Sequence, residues 1–477
     1  MEYEKVIGLE IHMRIKSKSK MFCSCKNALE LANEPNTNVC PVCMWFPGML
    51  PVLNKEVVRL WLIWGMLMNC EVNKYSRFDR KSYFYPDSPI SFQITQLYDP
   101  IVGAGDVRAL VDGEMRSFAI HHMHLENDAG KLSHAGGKTL CDFNRAGSPL
   151  MEIVTDPVFH TKEEVMEFLK ELQKIMRAGG VSDADMEKWQ LRCDVNMSIR
   201  PKWSTELFNR TEHKNVNSFS AIGRCIDAEF KRQKKIVESW WEVDQETRWW
   251  NDDTGMSTSQ RSKEDAMDYR YFPEPDLLPL NLDDDFIDQC RASLVELPID
   301  KRVRYLSDYK LKEDDARILT KERDLSEYFE SLVELTGDPK KSCSYITSVL
   351  LALMSEKWWN TLIKDLKFDI KEFAKIIKLV NADELSSTNA KQVIEELYNN
   401  GGEADTIIDE NNLRQKNDLW ALEAVVDEVI AEFSSQVADY KWWNENIFGF
   451  FVGQCMKKSK GQGNPKVFNE LLKKKLG

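Results

Sequence analysis

Val6-Ile7-Gly8-Leu9-Glu10-Ile11-His12-Met13-Arg14 alternates apolar and polar side chains with a period of two. This is the pattern of a β-strand with one buried and one solvated face. Ile7, Leu9, Ile11 and Met13 belong to the core side. Gly8, Glu10 and His12 share the other face, with the two ligand-type side chains about 7 Å apart by strand rise. A carboxylate beside an imidazole suits a divalent cation. A single such pair also fits an ordinary solvated strand, so the weight rests on recurrence.

The pattern recurs. Ile120-His121-His122-Met123-His124-Leu125-Glu126 places His122, His124 and Glu126 on one face, and Asn127-Asp128-Ala129-Gly130 turns the chain. In Leu150-Met151-Glu152-Ile153-Val154 a carboxylate stands in line with two aliphatic side chains, a break in pattern that reads as functional. Leu191 to Arg200 turns Cys193, Val195, Met197 and Ile199 inward and Arg192, Asp194, Asn196, Ser198 and Arg200 outward; Glu212 and Lys214 follow on a hairpin partner. Together these strands predict an antiparallel sheet wetted on one side, a plate able to carry metal-bound phosphates. No Gly-x-x-x-x-Gly-Lys-Ser/Thr occurs, which excludes a P-loop.

Helical spacing predicts amphipathic helices over Asn54–Leu67 and Thr161–Ala178, the second with Thr161 as N-cap and Glu163 and Glu164 in its first turn. The stretch Arg77 to Asp87, rich in cations and aromatics, reads as a loop able to hold phosphate or stack on a base, or as an aromatic-anchored turn. Cys23-Ser24-Cys25 and Cys40-Pro41-Val42-Cys43 make a credible tetrahedral zinc site of four thiolates, with buried free thiols as the alternative. Beyond Pro279 the character changes: residues 295 to about 400 are helical by period, and further helices follow from about 405.

With 477 residues, 43% hydrophobic and 30% charged, the chain supports roughly two to four domains, each with its own core. The longest apolar runs, such as Ser348 to Met354, are too short to span a bilayer, and Met1-Glu2-Tyr3-Glu4-Lys5 lacks a signal-peptide layout. Both features predict a cytoplasmic protein with no membrane partner. A net charge of −13 argues against blanket nucleic-acid binding, yet Gly453–Gly477 holds seven lysines against the single acid Glu470. Lys457, Lys458, Lys460 and Lys466 there are either a solvated helix end or contacts for an RNA backbone.

The motifs as a set resemble the B-subunit family of the aspartyl/glutamyl-tRNA amidotransferases, essentially end to end. The pieces are Val6 to His12, Pro35 to Cys43, Phe78-Asp79-Arg80-Lys81, Tyr83 to Asp87, His124-Leu125-Glu126 and Asp142 to Gly147, followed by Leu191-Arg192-Cys193-Asp194, Asp268 to Pro273 and Phe451-Val452-Gly453-Gln454. The resemblance implies an α+β protein: a glutamine-synthetase-like antiparallel cradle over 1–292, an all-α domain over 293–404 and a tRNA-binding helical tail over 405–477. It implies that ATP phosphorylates the side-chain carboxylate of glutamate or aspartate mischarged on tRNA, and that ammonia displaces the phosphate.

Carried over, the family's magnesium ligands fall on His12, Glu126 and Glu152, with a second cation position at Glu10, Asp194 and Glu212. Lys81 and Tyr83 are candidates for contacting the aminoacyl end or guiding ammonia. The implied partners are an amidase subunit, which makes ammonia from glutamine, a small third subunit that ties the two together, and the mischarged tRNA. No Gly-Ser-Ser amidase segment occurs in this chain. A non-catalytic tRNA-binding scaffold is the alternative, and a small-molecule ligase would not need the lysine-rich tail; the six intact ligand-type residues favour the ligase reading.

The chain departs from that family at Trp45, Trp189, Trp240, Trp241, Trp420 and Trp443, where glycine is usual. Glycine itself is scarce, 22 of 477 residues. A glycine in a turn often supplies positive φ, which a tryptophan adopts only with strain. The pattern suggests a codon, UGA, that the host reads as glycine.

Overall fold

The structure, a computed structural model, describes residues 2–477 except 28–33, 263–267, 357–361, 416–418, 442–446 and 460–462. Trp443 and Lys460 lie outside the described residues. The chain folds as two compact units, Met1–Lys301 and Arg302–Gly477.

In chain order the strands of the first unit are β1 (Tyr3–Arg14), β2 (Tyr75–Ser76), β3 (Asp79–Ser82), β4 (Phe92–Thr95), β5 (Gly105–Val111), β6 (Glu114–Asn127), β7 (Lys131–Ala135) and β8 (Lys138–Asp142). They continue with β9 (Pro149–Thr155), β10 (Leu191–Pro201), β11 (Thr211–Lys214), β12 (Glu246–Asn251), β13 (Met256–Ser262), β14 (Phe272–Pro273) and β15 (Leu280–Asn281). Eight of them form one sheet in the order β13-β12-β11-β10-β1-β9-β6-β5. Its pairings are antiparallel except β11 with β12, which run parallel.

The opening strand lies centrally, between β10 and β9. Its Ile7, Leu9, Ile11 and Met13 are buried, as are Cys193, Val195, Met197 and Ile199 of β10 and Met151 and Ile153 of β9. Three helices contribute to the core on this face: α1 (Lys55–Leu67) through Trp61 and Trp64, α2 (Lys162–Ala178) through Phe168 and Leu172, and α3 (Phe219–Glu238) through Ile222 and Ile226. The side chain of Asn54 accepts from the Glu56 N–H at the start of α1. Thr161 caps α2 in a reciprocal box with Glu164, which satisfies two otherwise orphaned donors.

Two details depart from simple alternation. Across from β9, Ile120 pairs with Thr155 and His122 with Val154, so His121 is an inserted bulge residue. The bulge resets the phase of β6: Phe118 and Ile120 face the core before it, Met123 and Leu125 after it. The stretch Arg77 to Asp87 is not wholly a loop, because β3 lies within it, flanked by β14 and β4. Arg80 is committed there, donating to both oxygens of Glu274 at 2.6 and 2.9 Å and to Asp276 at 3.2 Å. It is therefore a structural cation of this small sheet.

The second unit is built of helices around two separate hydrophobic clusters. One includes Phe329, Phe373 and Leu397, the other Phe451, Phe468 and Leu472. Among the described residues no helix is long and apolar enough to cross a membrane.

Candidate cation and nucleotide site

The solvated face of the large sheet gathers the ligand-type side chains from five neighbouring strands. In register, His12 of β1 lies opposite Glu152 of β9, and Glu152 lies opposite His124 of β6. This makes a cross-strand row in which Glu152 Oε2 is 3.5 Å from His12 Nε2 and 3.0 Å from His124 Nε2. Glu126, two residues along β6, brings Oε1 to 3.8 Å from His12 Nε2. On the other side of β1, Glu10 lies opposite Asp194 of β10, and Asn196 lies opposite Glu212 of β11. Ligand atoms of Glu10, His12 and Glu152, of His124, Glu126 and Glu152, and of Glu10, Asp194 and Glu212 fall within 4.8 Å of one another in each group. The period-two alternation is the cause, since any strand that buries one face here must present the other to this plate.

The electrostatics are those of a partly desolvated, carboxylate-rich cleft. Burial pushes the Glu10 carboxyl above its usual range, and the neighbouring Glu152 charge adds to the effect. Glu126 is likewise raised by burial, which outweighs the pull of His12. Burial opposes ionisation of Glu152 too, but hydrogen bonds from His12 and His124 outweigh it and hold that carboxyl below its usual range. His12 is raised: the two facing carboxylates overcome the cost of burying its charge. Glu126 Oε2 is buried and has no hydrogen-bond partner. A mixed set of imidazole and crowded carboxylates with an orphaned oxygen fits a hard divalent cation, which relieves the repulsion and satisfies that oxygen.

Opposite the acidic row, a cleft of about 590 Å³ is lined by Glu10, His12, Lys81, Tyr83, Glu152, Glu212, Lys214, Tyr269 and Tyr271, among others. Lys81 projects from β3, with its ammonium 4.8 Å from the Tyr269 ring centroid. Burial disfavours its charge, but Glu126, Tyr271 and Glu152 prevail and raise it. The chain also brings to the site groups that the ligand assignment had passed over. His124 joins the row by the same i, i+2 alternation that selected Glu126, whereas Tyr269 and Tyr271 are nearly 200 residues from Lys81 in sequence and carry no local signal. His122 stacks on His124 at 5.8 Å, with ring planes 9° apart.

Residues 5–288 match the GatB/GatE catalytic domain family, and residues 327–476 match the GatB domain family. The chain belongs to the GatB family. It is 42% identical over 477 residues to the B subunit of the aspartyl/glutamyl-tRNA(Asn/Gln) amidotransferase of Thermodesulfovibrio yellowstonii, covering 100% of both chains. The proteins of the same name from Caldicellulosiruptor bescii and Clostridium tetani are 43% and 40% identical, each covering 100% of this chain and 99% of the relative.

Within this GatB chain the four cysteines also converge. Cys23, Cys25, Cys40 and Cys43 place their sulfurs within 4.8 Å of one another. A hydrogen bond from Cys23 leads the causes that lower Cys43 to about 5, and burial raises Cys25 to about 11. The Cys40 N–H donates to Cys43 Sγ at 3.1 Å, and the buried Lys20 ammonium lies 3.7 Å from the same sulfur. Four sulfurs in this arrangement, with one already favoured as thiolate, fit a tetrahedral soft-metal site.

The C-terminal lysines are less free than their density implies. Lys457 is exposed at the end of the helix Phe448–Lys458. Lys458, however, bridges Glu428 at 3.1 Å and Glu432 at 2.8 Å, and Lys466 reaches Asp383 at 2.8 Å.

Proposed function

We propose that this chain is the phosphorylating subunit of a tRNA-dependent amidotransferase, acting on glutamate mischarged on tRNA(Gln), aspartate mischarged on tRNA(Asn), or both. The observation that supports this most directly is the plate of Glu10, His12, Glu126, Glu152, Asp194 and Glu212, joined by His124, of which Glu10, His12, Glu152 and Glu212 line one cleft. In this reading the side-chain carboxylate attacks the γ-phosphorus of ATP and ADP departs. Ammonia then adds to the activated carbonyl, phosphate leaves, and the surplus proton is lost to yield the amide. Magnesium, when bound, supplies charge neutralisation at the phosphoryl oxygens. His12, Glu126 and Glu152 are its proposed ligands, with Glu10, Asp194 and Glu212 at a second position. Lys81 and Tyr83 stand on the opposite wall, placed to orient the aminoacyl end or to guide ammonia. A non-catalytic scaffold would have no use for such a crowded acidic cleft. ADP formation that requires mischarged tRNA, in the complex with its partner subunits, tests the reading; ADP formation indifferent to the tRNA overturns it.

The cradle over 1–292 is read as glutamine-synthetase-like, followed by a helical domain over 293–404 and a tRNA-contacting tail over 405–477. The proposed partners are an amidase subunit that supplies ammonia and a small subunit that ties the two together, and the proposed location is the cytoplasm. With Lys458 and Lys466 engaged by acids, tail binding to RNA is expected to be modest. Lys457→Ala is expected to weaken tRNA binding uniformly across tRNA sequences and to lower the salt slope by about one unit. An unchanged slope in salt titrations of affinity would remove this residue from the interface.

The cysteine cluster is proposed to hold structural zinc. Purified protein is expected to carry about one zinc per chain by elemental analysis, and Cys43→Ser to lose it. Zinc retained at full occupancy in that variant would contradict the assignment.

A further inference from the structure

Lys214 sits where a second cation is proposed to bind. Its ammonium is 2.6 Å from Asp194 Oδ2 and 2.7 Å from Glu212 Oε1, two of the three carboxylates of the second group. It projects from β11 beside Glu212 and lines the same cleft as Lys81. Glu212 is steadied independently, because Thr247 Oγ1 donates to its Oε2 at 2.8 Å. A divalent cation and an ammonium cannot both sit at contact distance from the same two carboxylates without strong repulsion. A lysine head on a four-carbon stem is a mobile point charge with three donors, a common phosphate partner.

We propose that Lys214 is a phosphate-binding residue of the nucleotide site, held in reserve by Asp194 and Glu212 and released toward the triphosphate when a cation takes those carboxylates. This rests on the ATP and magnesium reading above. It links occupancy of the second cation position to capture of the nucleotide: the ion displaces the lysine, and the lysine then engages phosphate oxygens that the ion also attracts.

The test uses the intact complex and two readouts, Mn²⁺ affinity without nucleotide by electron paramagnetic resonance and ATP affinity with saturating Mg²⁺. Lys214→Met is expected to bind Mn²⁺ about tenfold more tightly, having lost its internal competitor, and ATP at least tenfold more weakly. Lys214→Arg, which keeps the charge, is expected to restore the weaker Mn²⁺ binding and so controls for misfolding. Unchanged or weaker Mn²⁺ binding in Lys214→Met overturns the proposal, leaving the lysine a fixed counter-ion. If neither the parent nor the variant binds Mn²⁺, the cation reading itself fails, and this proposal fails with it.

A second inference rests on the backbone alone. Trp45, Trp189 and Trp240 have φ of 54°, 57° and 63°. Each occupies the same position in the same pair of bonds. Trp45 N–H donates to Val42 O and Phe46 N–H to Pro41 O; Trp189 N–H to Met186 O and Gln190 N–H to Asp185 O; Trp240 N–H to Val237 O and Trp241 N–H to Ile236 O. This is the closure in which a left-handed residue ends a helical turn, a position dominated by glycine. Elsewhere among the described residues the same pair is closed by Gly180 at φ 66°, by Asn69 at 54°, by Asn412 at 53° and by Asp383 at 54°. Trp240 is 96% exposed and Trp189 52%, so packing does not explain either side chain, whereas Trp45 packs edge-on against Phe92 with ring centroids 5.8 Å apart.

We infer that these three positions are glycine in the protein as its host makes it, through a codon read there as glycine and rendered here as tryptophan. Peptide mass spectrometry of protein isolated from the native source is expected to find glycine at all three; tryptophan there overturns the inference. As a second readout on recombinant protein, the triple Trp→Gly variant is expected to melt several degrees higher. A lower melting temperature would count against strain at these turns.

Discussion

Glu152→Ala is expected to reduce tRNA-dependent ADP formation on the order of 10³-fold while leaving the melting temperature nearly unchanged. Glu152 is shared by two of the three ligand groups on the plate and lies closer to both imidazoles, 3.5 Å from His12 and 3.0 Å from His124, than Glu126, which is 3.8 Å from each. Removing it takes a ligand from the proposed cation and an anchor from two imidazoles. The fold has little reason to suffer. Loss of Glu152 removes two favourable contacts to the imidazoles together with the repulsion by which it raises the neighbouring Glu10 and Glu126. Steady-state kinetics alongside a thermal melt separates the two effects. Activity within tenfold of the parent would show that the row does not carry the chemistry.

Glu229→Ala is expected to cost about 3–5 kcal/mol of stability, because it breaks a buried charge network from one side. Glu229 lies on α3 beneath the sheet, 2% exposed. It accepts from Thr211 Oγ1 at 2.8 Å, from two nitrogens of Arg232 at 2.8 and 2.7 Å and from Gln233 at 2.8 Å, with His213 Nε2 at 3.4 Å. Thr211 and His213 are the inward residues of β11, whose outward residues are Glu212 and Lys214. The network therefore sets the strand that carries Glu212, one of the three carboxylates of the second cation group.

Burial disfavours the Glu229 anion, but His213 and Arg232 outweigh it and hold the carboxyl below its usual range. The sign follows from the depressed value. The contribution is fully present above the unfolded carboxyl pKa of about 4.3 and is lost as pH falls through the lower folded value. Denaturant titrations are thus expected to show a shallower loss of stability below about pH 4 in Glu229→Gln than in the parent. Parallel curves would mean that this carboxyl is not an acid-sensitive element.

The two strands with the cleanest alternation, β1 and β10, are legible from sequence because each buries one face only. The cap at Thr161 is legible because it is a local bond to Glu164, three residues on. What escapes is non-local or depends on a single inserted residue. The bulge at His121 does not change the hydrophobic count of β6, only its phase. The stretch around Arg80 reads as a loop for phosphate or a base, or as an aromatic-anchored turn, until Glu274, 194 residues later, is seen to take the Arg80 guanidinium. Tyr269 and Tyr271 enter the cleft because β14 pairs with β3, a contact between segments with no shared pattern. His124 is the instructive omission, since its strand and face are apparent while its partner Glu152 lies on a neighbouring strand.

The central claim is that the wetted face of this sheet activates a carboxylate carried by tRNA. Its most direct test is amidation of mischarged tRNA by the complete complex, with ATP and with ammonium in place of glutamine, comparing the parent with Glu126→Ala. The parent is expected to form the amidated aminoacyl-tRNA, and the variant to form none above background while remaining assembled. Amide formation at parental rates in Glu126→Ala would contradict the account.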